Sequence, residues 1–222
     1  MPTALIIGAS RGLGRALVEE HLKRGWDVIC TVRTPGALDA IRNDRLNVEL
    51  LDTTDWAGID ALKVKLAGRA LDLLFVSAAI IGPSSGRIGD ADPEAFAEMM
   101  LVNVLAPLRL ADRLADLVTP KGMIAVMSSS LGSIARNTFG SWEAYRTSKA
   151  ALNMGLASIA ARRSDGRTYV ACDPGWVRTD MGGAGATLSI EESIPNLVTA
   201  LGNRAGTGGL RYIDYQDRDL PW

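Results

Sequence analysis

Short runs of consecutive apolar residues alternate along the chain with longer segments in which apolar residues recur every three or four positions. The first run covers residues 4–7, and the next segment begins at Leu13, carries Leu17 and Leu22 at helical spacing, and is closed by Gly25. Apolar residues at that spacing line one face of a helix, whereas a short continuous run is typical of a strand buried on both faces. The alternation therefore predicts βαβ units and a mostly parallel sheet.

The alternation continues to the end of the chain. Seven strands are predicted, over residues 4–7, 28–32, 47–51, 71–77, 124–128, 169–173 and 210–215. Helices are predicted over residues 13–24, 55–67, 93–117 and 142–163, with a short one from Ile190. Together they predict an α/β protein with a single-domain Rossmann fold over residues 1–222, in which a doubly wound, mostly parallel seven-stranded sheet carries helices on both faces. The glycine-rich stretch 182–187 is a candidate mobile loop.

Composition excludes several classes of protein. The 222 residues carry a formal net charge of −1 with the two signs interspersed, unlike the basic surface of a nucleic-acid-binding protein. No run approaches the roughly 18 apolar residues of a membrane span, and the N-terminus does not resemble a signal peptide. Cys30 and Cys172 are expected to be buried thiols in strands, which fits a reducing cytoplasm. The single histidine, His21, is expected on the surface of the first helix, so histidine-based and metal-based catalysis lack candidates.

A glycine-rich turn separates the first strand from the first helix and runs Gly-Ala-Ser-Arg-Gly-Leu-Gly over residues 8–14. Glycines allow a tight turn and the close approach of a pyrophosphate, and the helix N-terminus behind the turn supplies unpaired N–H groups. The G-x-x-x-G-x-G spacing is weak by itself. Its place between a strand and an amphipathic helix favours a dinucleotide site over an ordinary turn without a ligand. The binding residues predicted there are Gly8, Ser10, Arg11, Gly12, Leu13 and Gly14.

The residues at the end of the second strand indicate which dinucleotide is bound. NAD-binding proteins commonly carry an acidic residue there for the ribose 2′-OH, whereas this chain reads Cys-Thr-Val-Arg and ends on Arg33. The guanidinium groups of Arg33 and Arg11 suit a 2′-phosphate, which favours NADP(H); the alternative is that both are plain surface residues. Asp52 and Thr53, after the third strand, are assigned to the adenine, with a turn-forming Asp52 as the equal alternative.

The strongest chemical signal is the pair Tyr145 and Lys149 near the start of a long predicted helix. Residues four apart lie on one helix face, so both side chains can enter one cleft. A free tyrosine has a pKa of about 10, and a neighbouring ammonium lowers that pKa toward a range useful for acid–base chemistry. Ser129 stands at the carboxyl end of the fifth strand, where ligands of open α/β sheets bind, and its hydroxyl can hydrogen-bond a substrate carbonyl oxygen. In isolation, a tyrosine and a lysine at this spacing are more often a half-exposed aromatic beside a solvated amine.

These motifs, in this order, resemble those of the short-chain dehydrogenase/reductase family over nearly the whole chain. The resemblance is carried by the turn 8–14, Asn103 within Leu-Val-Asn-Val, Ser129 followed by Gly132, Tyr145 with Lys149, and residues 173–179, which look like the family's P-G-x-V-x-T segment. The stretch 129–134, the long gap to Tyr145 and the ending Leu-Pro-Trp are similar to the C-factor and sniffer-like carbonyl reductase branch.

The resemblance implies a role for each residue. Tyr145 donates its proton to the carbonyl oxygen during reduction, Ser129 polarises that oxygen, and Lys149 lowers the pKa of Tyr145 and binds the nicotinamide ribose. Asn103 holds a water that links Lys149 to solvent, and hydride comes from NADP(H), because no side chain supplies it. The remaining cofactor contacts are expected from Ser77, Ala78, Ala79, Pro174, Gly175, Val177 and Thr179.

The chain departs from the family's pattern in three places. Ile7 stands where the family has a threonine before the first glycine, and Val-Ser-Ala-Ala over residues 76–79 replaces Asn-Asn-Ala-Gly. The second departure is expected to weaken a contact between strands and to affect catalytic efficiency more than the fold. Asp173, directly before Pro174, puts a charge near the nicotinamide pocket, and the sequence leaves open whether that charge is buried.

The side chains expected around the substrate are mostly apolar, which favours a small or medium aldehyde or ketone, or the corresponding alcohol, over a phosphorylated compound. They are Ile80, Ile81, Ser130, Leu131, Thr138, Trp142, Trp176 and the loop from Met181 to Leu188. The resemblance also implies a homodimer formed by the helices that bear Asn103 and Tyr145, and the sequence leaves that state open. Trp222, at the terminus, is a candidate for burial at such an interface.

Two other functions compete with the oxidoreductase. A dinucleotide-binding sensor or signalling protein of the same fold would need the glycine turn but not the catalytic residues. Because Asn103, Ser129, Tyr145 and Lys149 are all present, the enzyme is favoured. Dehydratase or epimerase chemistry on a nucleotide sugar would need a larger substrate region than 222 residues comfortably provide.

Overall fold

A computed structural model describes residues 1–82 and 87–222, and in these ranges the chain forms one seven-stranded sheet. The strands are β1 (Thr3–Ile7), β2 (Asp27–Val32), β3 (Leu46–Leu50), β4 (Leu71–Val76), β5 (Val118–Met127), β6 (Thr168–Asp173) and β7 (Gly209–Asp214). All neighbouring strands pair in parallel, in the order β3-β2-β1-β4-β5-β6-β7. The strand order reverses between β1 and β4, and ligands of such sheets bind in the crevice outside that point.

Helices cover both faces of the sheet. They are α1 (Gly12–Lys23), α2 (Trp56–Lys65), α3 (Pro93–Met100), α4 (Ala106–Arg113), α5 (Glu143–Arg163) and α6 (Ile190–Arg204). Alternate residues of β1 enter different cores: Ala4 and Ile6 pack in the core that includes α1 and α6, and Leu5 and Ile7 in the core that includes α2, α4 and α5. A strand buried on both faces reads as a continuous apolar run, and this explains the pattern in the sequence.

The long helix predicted over residues 93–117 is interrupted. The structure has α3, a π-helical turn over Leu101–Leu105, α4, and a 3-10 turn over Ala115–Leu117. Pro107 lacks the N–H group that would bond the carbonyl of residue 103 in a regular α-helix, which favours the wider turn there. β5 begins at Val118, six residues before the predicted start, and a bulge interrupts its pairing with β4 near Leu71.

The expectation that His21 lies on the surface is wrong, because its side chain is only 1% exposed. Its Nδ1 atom lies 2.7 Å from the carbonyl oxygen of Leu17, and its ring packs edge-on against Trp26 at 5.1 Å between centroids. Burial lowers the pKa of His21, so the imidazole is held in its neutral form. The chain after α1 folds back over the helix and covers the residue, which the helical period alone does not reveal.

Both cysteines are free, buried thiols in β2 and β6, as predicted. Trp222 packs within its own chain: its ring lies 5.0 Å from that of Tyr212, and its carbonyl accepts a hydrogen bond from Ala135. Among the described ranges, none of the helices is long and apolar enough to cross a bilayer.

Candidate active site

The glycine turn forms a cradle at the carboxyl end of β1. A β-carbon at Gly14 would stand 2.1 Å from the carbonyl oxygen of Gly8, and one at Gly8 would stand 2.9 Å from the β-carbon of Ala78. Gly8 and Gly12 also have positive φ angles of 86° and 57°. Arg11, the N-cap of α1, makes no side-chain capping bond, so the first N–H groups of α1 remain available to an anion. The backbone here fits a pyrophosphate, because side chains at these positions would occupy the turn itself.

Two residues at which the chain departs from the family's motifs, Ile7 and Val76, lie next to each other in the sheet. Ile7 and Val76 lie in register on β1 and β4, and both are fully buried in the same core. These two apolar residues pair across the strands at this point, and the expected effect of the missing asparagines on catalytic efficiency stays a prediction. Ser77, Ala78 and Ala79 follow β4 beside the glycine turn, where the N–H of Ser77 donates to the carbonyl of Ile7 at 2.9 Å.

Arg33 lies where the sequence predicts it, at the end of β2 beside the glycine turn. Its N–H donates to the Ser10 hydroxyl at 3.2 Å, and its exposed guanidinium acts on the carboxylate of Asp52. Hydrogen bonds from Thr54, and after them the charge of Arg33, lower the pKa of Asp52. Thr53 is buried beneath this corner. The structure thus brings Arg33, Ser10 and Asp52 to one edge of the crevice.

Arg11, unlike Arg33, forms an ion pair with a carboxylate from another segment. Its Nη1 atom lies 2.8 Å from Oδ2 of Asp180, and both side chains are largely exposed. Asp180 directly follows Thr179, whose Cγ2 atom would lie 3.8 Å from a β-carbon at Gly12. The segment after β6 therefore folds across the glycine turn, and an ion pair joins the two sides. Sequence reasoning missed Asp180, which was distinguished by no motif of its own.

Asn103 lies in the π-helical turn and is buried. Its Oδ1 atom accepts from the N–H of Ile80 at 2.8 Å, and its Nδ2 atom donates to the carbonyl of Ile80 at 2.7 Å and to the Ser148 hydroxyl at 3.3 Å. Ser148 in turn donates to the carbonyl of Tyr145 at 2.8 Å. Asn103 therefore ties the segment after β4 to the helix that carries Tyr145.

Tyr145 and Lys149 lie on the buried face of α5, one turn apart. Lys149 donates from Nζ to the carbonyl oxygen of Met127 at 2.8 Å, and the same atom lies 5.5 Å from the centroid of the Tyr145 ring. Met127 is the last residue of β5, so the pair stands at the carboxyl end of that strand, next to Ser129. The predicted meeting of tyrosine and lysine is present in the structure.

The predicted direction of the tyrosine pKa is wrong for the protein alone. Burial, and after it the charge of Asp173, raise the pKa of Tyr145 above its ordinary value. Burial also lowers the pKa of Lys149 to about 8, which weakens the positive charge that was expected to act on the phenol. The sequence showed the i, i+4 spacing but not the desolvation that both groups undergo.

Ser129 begins a 3-10 turn over Ser130–Gly132, and its hydroxyl accepts from the N–H of Leu131 at 3.2 Å. Buried polar side chains hold the backbone of Ser129 and the residue before it in place. The hydroxyl of Tyr212 donates to the Ser129 carbonyl, and Ser128 donates to Oδ1 of Asn153 at 2.6 Å. Sequence reasoning missed Tyr212 and Asn153, although Asn153 follows Lys149 by four residues and so repeats the spacing of Tyr145 and Lys149.

The segment after β6 holds the predicted nicotinamide contacts. Pro174 and Val177 are buried, and the carbonyl of Pro174 accepts from the Ser193 hydroxyl at 2.6 Å. Val177 forms a bridge to Leu188, which closes the base of the candidate mobile loop 182–187. Gly175 has a φ of 77° and contacts Leu188, so the turn requires glycine. The segment therefore faces the glycine turn across the crevice.

The predicted substrate residues divide by exposure. Ile80, Ile81, Ser130 and Leu131 are half-buried, whereas Thr138, Trp142, Trp176 and Met181 are exposed. Trp142 caps α5 in a left-handed conformation with a φ of 59°, and Nε1 of Trp176 donates to the carbonyl of Gly182 at 2.9 Å. Phe139, which sequence reasoning missed, is also highly exposed, three residues before Trp142. Apolar side chains thus remain open to solvent on the segments that flank Tyr145.

The chain belongs to the short chain dehydrogenase family, whose sequence profile matches residues 2–187. It is therefore an oxidoreductase by family, with the sheet order and site described above. Among curated proteins, it is 35% identical over 155 residues to C-signal of Myxococcus xanthus, covering 68% of this chain and 93% of that protein. It is 29% identical over the full length of both chains to 1-hydroxy-2-glutathionyl-2-methyl-3-butene dehydrogenase of a Rhodococcus species.

Solved structures are closer in shape than in sequence. A short-chain dehydrogenase/reductase from Burkholderia multivorans with bound NADP is 46% identical, with a TM-score of 0.96 over 100% of this chain and 99% of the other. A carbonyl reductase from Pseudomonas aeruginosa in complex with NADP is 36% identical, with a TM-score of 0.92 over all of both chains. The carbonyl reductase Sniffer of Drosophila melanogaster is 29% identical, with a TM-score of 0.90 over all of both chains.

Proposed function

We propose that the chain reduces a small aldehyde or ketone to an alcohol, or runs the reverse reaction, with NADP(H) as the hydride carrier and Tyr145 as the acid–base residue. The observation that supports this most directly is the position of Tyr145 and Lys149 at the carboxyl end of β5. Ser129 follows the same strand, and the glycine cradle stands across the crevice. Acid, hydrogen-bond donor and cofactor cradle therefore meet at one edge of the sheet.

During reduction, the phenol of Tyr145 gives its proton to the carbonyl oxygen while the Ser129 hydroxyl donates a hydrogen bond to that oxygen. When bound, NADPH supplies the hydride, and the oxidised nicotinamide carries a positive charge. Lys149, held by the carbonyl of Met127, lies within reach of the tyrosine ring and is assigned to the nicotinamide ribose. Asn103, fixed by Ile80 and Ser148, is assigned to the proton path between Lys149 and solvent.

The choice of NADP(H) is supported from two directions. The Burkholderia and Pseudomonas structures contain NADP. In this chain, the exposed guanidinium of Arg33 stands at the end of β2, bonded through its backbone to Ser10 of the glycine turn. A guanidinium at that corner can form charge-assisted hydrogen bonds with a 2′-phosphate. The uncharged ribose 2′-OH of NAD would gain much less from it. Arg11 is a weaker candidate for binding the 2′-phosphate, because its guanidinium already forms an ion pair with Asp180.

The similarity to C-signal supports a second function, a dinucleotide-binding signalling protein. The two functions predict different behaviour of one group, the hydroxyl of Tyr145. A signalling protein would bind NADPH and show no turnover, whereas the enzyme would lose its turnover when that hydroxyl is removed. The complete set of Asn103, Ser129, Tyr145 and Lys149 in one crevice favours the enzyme.

The test is the loss of NADPH absorbance with a panel of aldehydes and ketones, with NADH in parallel. We expect turnover with NADPH that falls by about 10²–10⁴ in Tyr145→Phe. Thr147→Val is the matched control, since it removes an exposed hydroxyl from the same helix, bonded only to the carbonyl of Glu143 among the described residues. Tight NADPH binding without turnover in the wild-type chain would instead support the signalling protein.

A further inference from the structure

A second ionisable group lies at the end of β6, at the same edge of the sheet as Tyr145. Asp173 is only 6% exposed and directly precedes Pro174 of the nicotinamide segment. Its Oδ1 atom accepts a hydrogen bond from the N–H of Gly175 at 3.1 Å, which closes the turn that leads out of the sheet. The carboxyl group is therefore part of the edge of the sheet at which the reaction is proposed to occur.

Strand register places this carboxyl in a row of polar groups. Cys172 pairs with Met127 of β5, so Asp173 lies one residue further along, level with Ser128. On its other side, Asp173 is in register with Asp214 of β7. Asp214 forms an ion pair with Arg218 at 2.6 Å, and the guanidinium balances the charge of this carboxylate. Asp173 therefore lies between the catalytic strand β5 and an ion pair at the end of β7.

Titratable or charged groups surround Asp173 on α5, on β7, after β7 and on its own strand. These groups are Tyr145 of α5, Tyr212 and Asp214 of β7, Arg218 after β7, and Cys172 of its own strand. Ser130, in the turn after β5, acts on the carboxyl group as well and lowers its pKa. Arg218 is the cation in this set, and because it is bonded to Asp214, its charge is shared between the two carboxyl groups.

The electrostatics of Asp173 and Tyr145 are linked. Burial raises the pKa of Asp173, hydrogen bonds from Gly175 and Ser130 oppose that rise, and the charge of Asp214 adds to it. The charge of Asp173 in turn raises the pKa of Tyr145, in addition to burial. A carboxylate and a phenolate in one buried site repel each other, and the phenol form of the tyrosine relieves that repulsion.

We propose that Asp173 is a positioning residue that holds Tyr145 as a phenol, so that the chain reduces carbonyls over a wide pH range and oxidises alcohols only at high pH. This inference rests on the proposed function, because reduction needs the proton of the phenol and oxidation needs a phenolate to accept one. The residue leaves the overall equilibrium unchanged. It sets the pH range in which each direction is fast.

The variant Asp173→Asn tests the inference. The amide oxygen of the new side chain keeps an acceptor for the N–H of Gly175 but carries no charge. We expect the pH at which kcat/KM for alcohol oxidation rises to shift down by about half a pH unit or more, and the alkaline limb of carbonyl reduction to shift in the same direction. Asp173→Ser, a second neutral variant with an acceptor oxygen, is expected to give the same shift if the asparagine variant does not fold.

Asp72→Asn is the matched control. Asp72 lies near the opposite end of the sheet, on β4, where Oδ2 accepts from the N–H of Thr3 at 2.8 Å. The variant removes one charge from the sheet, and we expect it to leave both pH limbs in place. A purely structural role for Asp173 would change KM or stability in the Asp173 variants but would leave the limbs unshifted.

A second readout does not need turnover. The phenolate absorbance of the wild-type chain minus that of Tyr145→Phe reports the titration of Tyr145, and the same difference is measured in the Asp173→Asn background. We expect the phenolate to form at lower pH in that background, and an identical titration overturns the inference. Normal Tyr145-dependent reduction with unshifted limbs overturns this inference alone. Equal reduction by the wild-type chain and Tyr145→Phe overturns the proposed function, and the assigned direction with it.

Discussion

Gly14 is the residue at which the glycine turn tolerates least change. A β-carbon there would stand 2.1 Å from the carbonyl oxygen of Gly8, so the backbone of β1 or α1 must move. We expect Gly14→Ala to lower the free energy of unfolding by about 2 kcal/mol or more, measured by urea denaturation. In Gly202→Ala, the matched control on α6, nothing lies within 4 Å of the new β-carbon, and we expect a gain of up to about 1 kcal/mol. Equal effects of the two variants would contradict the close approach.

Arg33 is the residue on which cofactor choice is expected to depend. Its guanidinium is exposed at the crevice edge and faces Asp52, whereas Arg11 is paired with Asp180. Since a charge-assisted hydrogen bond is worth roughly 1.5–3 kcal/mol, we expect Arg33→Ala to raise KM for NADPH about tenfold and to leave KM for NADH nearly unchanged. Arg69→Ala, an exposed arginine before β4 at the far end of the sheet, serves as control. A parallel loss with both cofactors would show that Arg33 does not contact the 2′-phosphate.

At the level of single residues, chemistry was easier to predict than environment. The types and spacing of Tyr145 and Lys149 indicated an acid–base pair, and the structure brings them together. The sequence did not reveal that burial raises the pKa of one and lowers that of the other, or that His21 is covered. Desolvation depends on atoms from distant parts of the chain, such as Asp173 on β6, and these have no local signature.

Among the elements, the break between α3 and α4 is the one on which we expect catalysis to depend most. Pro107 removes the N–H group that a regular helix would direct at the carbonyl of Asn103. We expect Pro107→Ala to restore the regular turn, to rotate Asn103 away from Ile80 and to lower kcat about tenfold or more. Pro195→Ala, which replaces the proline inside α6, is the control, and its kcat should match that of the wild-type chain. An unchanged kcat in Pro107→Ala would show that the π-helical turn does not position Asn103.

The periodicity of the chain located the elements better than it located their ends. Fully buried strands such as β1 and β4 are short apolar runs, and they were found within a residue or two of their bounds. The early part of β5, with Pro120 and Lys121, has no such run and was left outside the predicted helix and the predicted strand. Pairing with β4 makes it a strand, because a neighbouring strand supplies hydrogen-bond partners that local propensity does not count.

For the whole molecule, the association implied by the family resemblance stays a prediction. Met154 of α5 is 69% exposed, on one of the two helices that were assigned to a dimer face. We expect the wild-type chain to elute in size-exclusion chromatography at about twice its 23.6 kDa mass, and Met154→Glu to elute as a monomer, because an unpaired carboxylate at an interface is costly. Val64→Glu, an equally exposed site on α2, should elute as the wild-type chain does. A wild-type monomer would exclude this dimer.

By itself, the sequence determined the class of fold and the candidate reacting groups. Alternation of buried runs and amphipathic segments specifies parallel βαβ units, and Gly8 and Gly12 in the turn 8–14 have a backbone conformation that no other residue adopts as readily. The i, i+4 spacing of Tyr145 and Lys149 is a property of any helix, so it could be read without a structure.

The tertiary structure alone decided which groups lie together and in which direction their pKa values move. Strand order places Asp173 next to Asp214 and near Tyr145, brings Asp180 to Arg11, and pairs Ile7 with Val76. These residues are far apart along the chain, and their interactions depend on distance and burial rather than on local pattern. The pKa of an ionisable group depends on the atoms that exclude water from it and on the charges near it. Those atoms come together only when the whole chain folds.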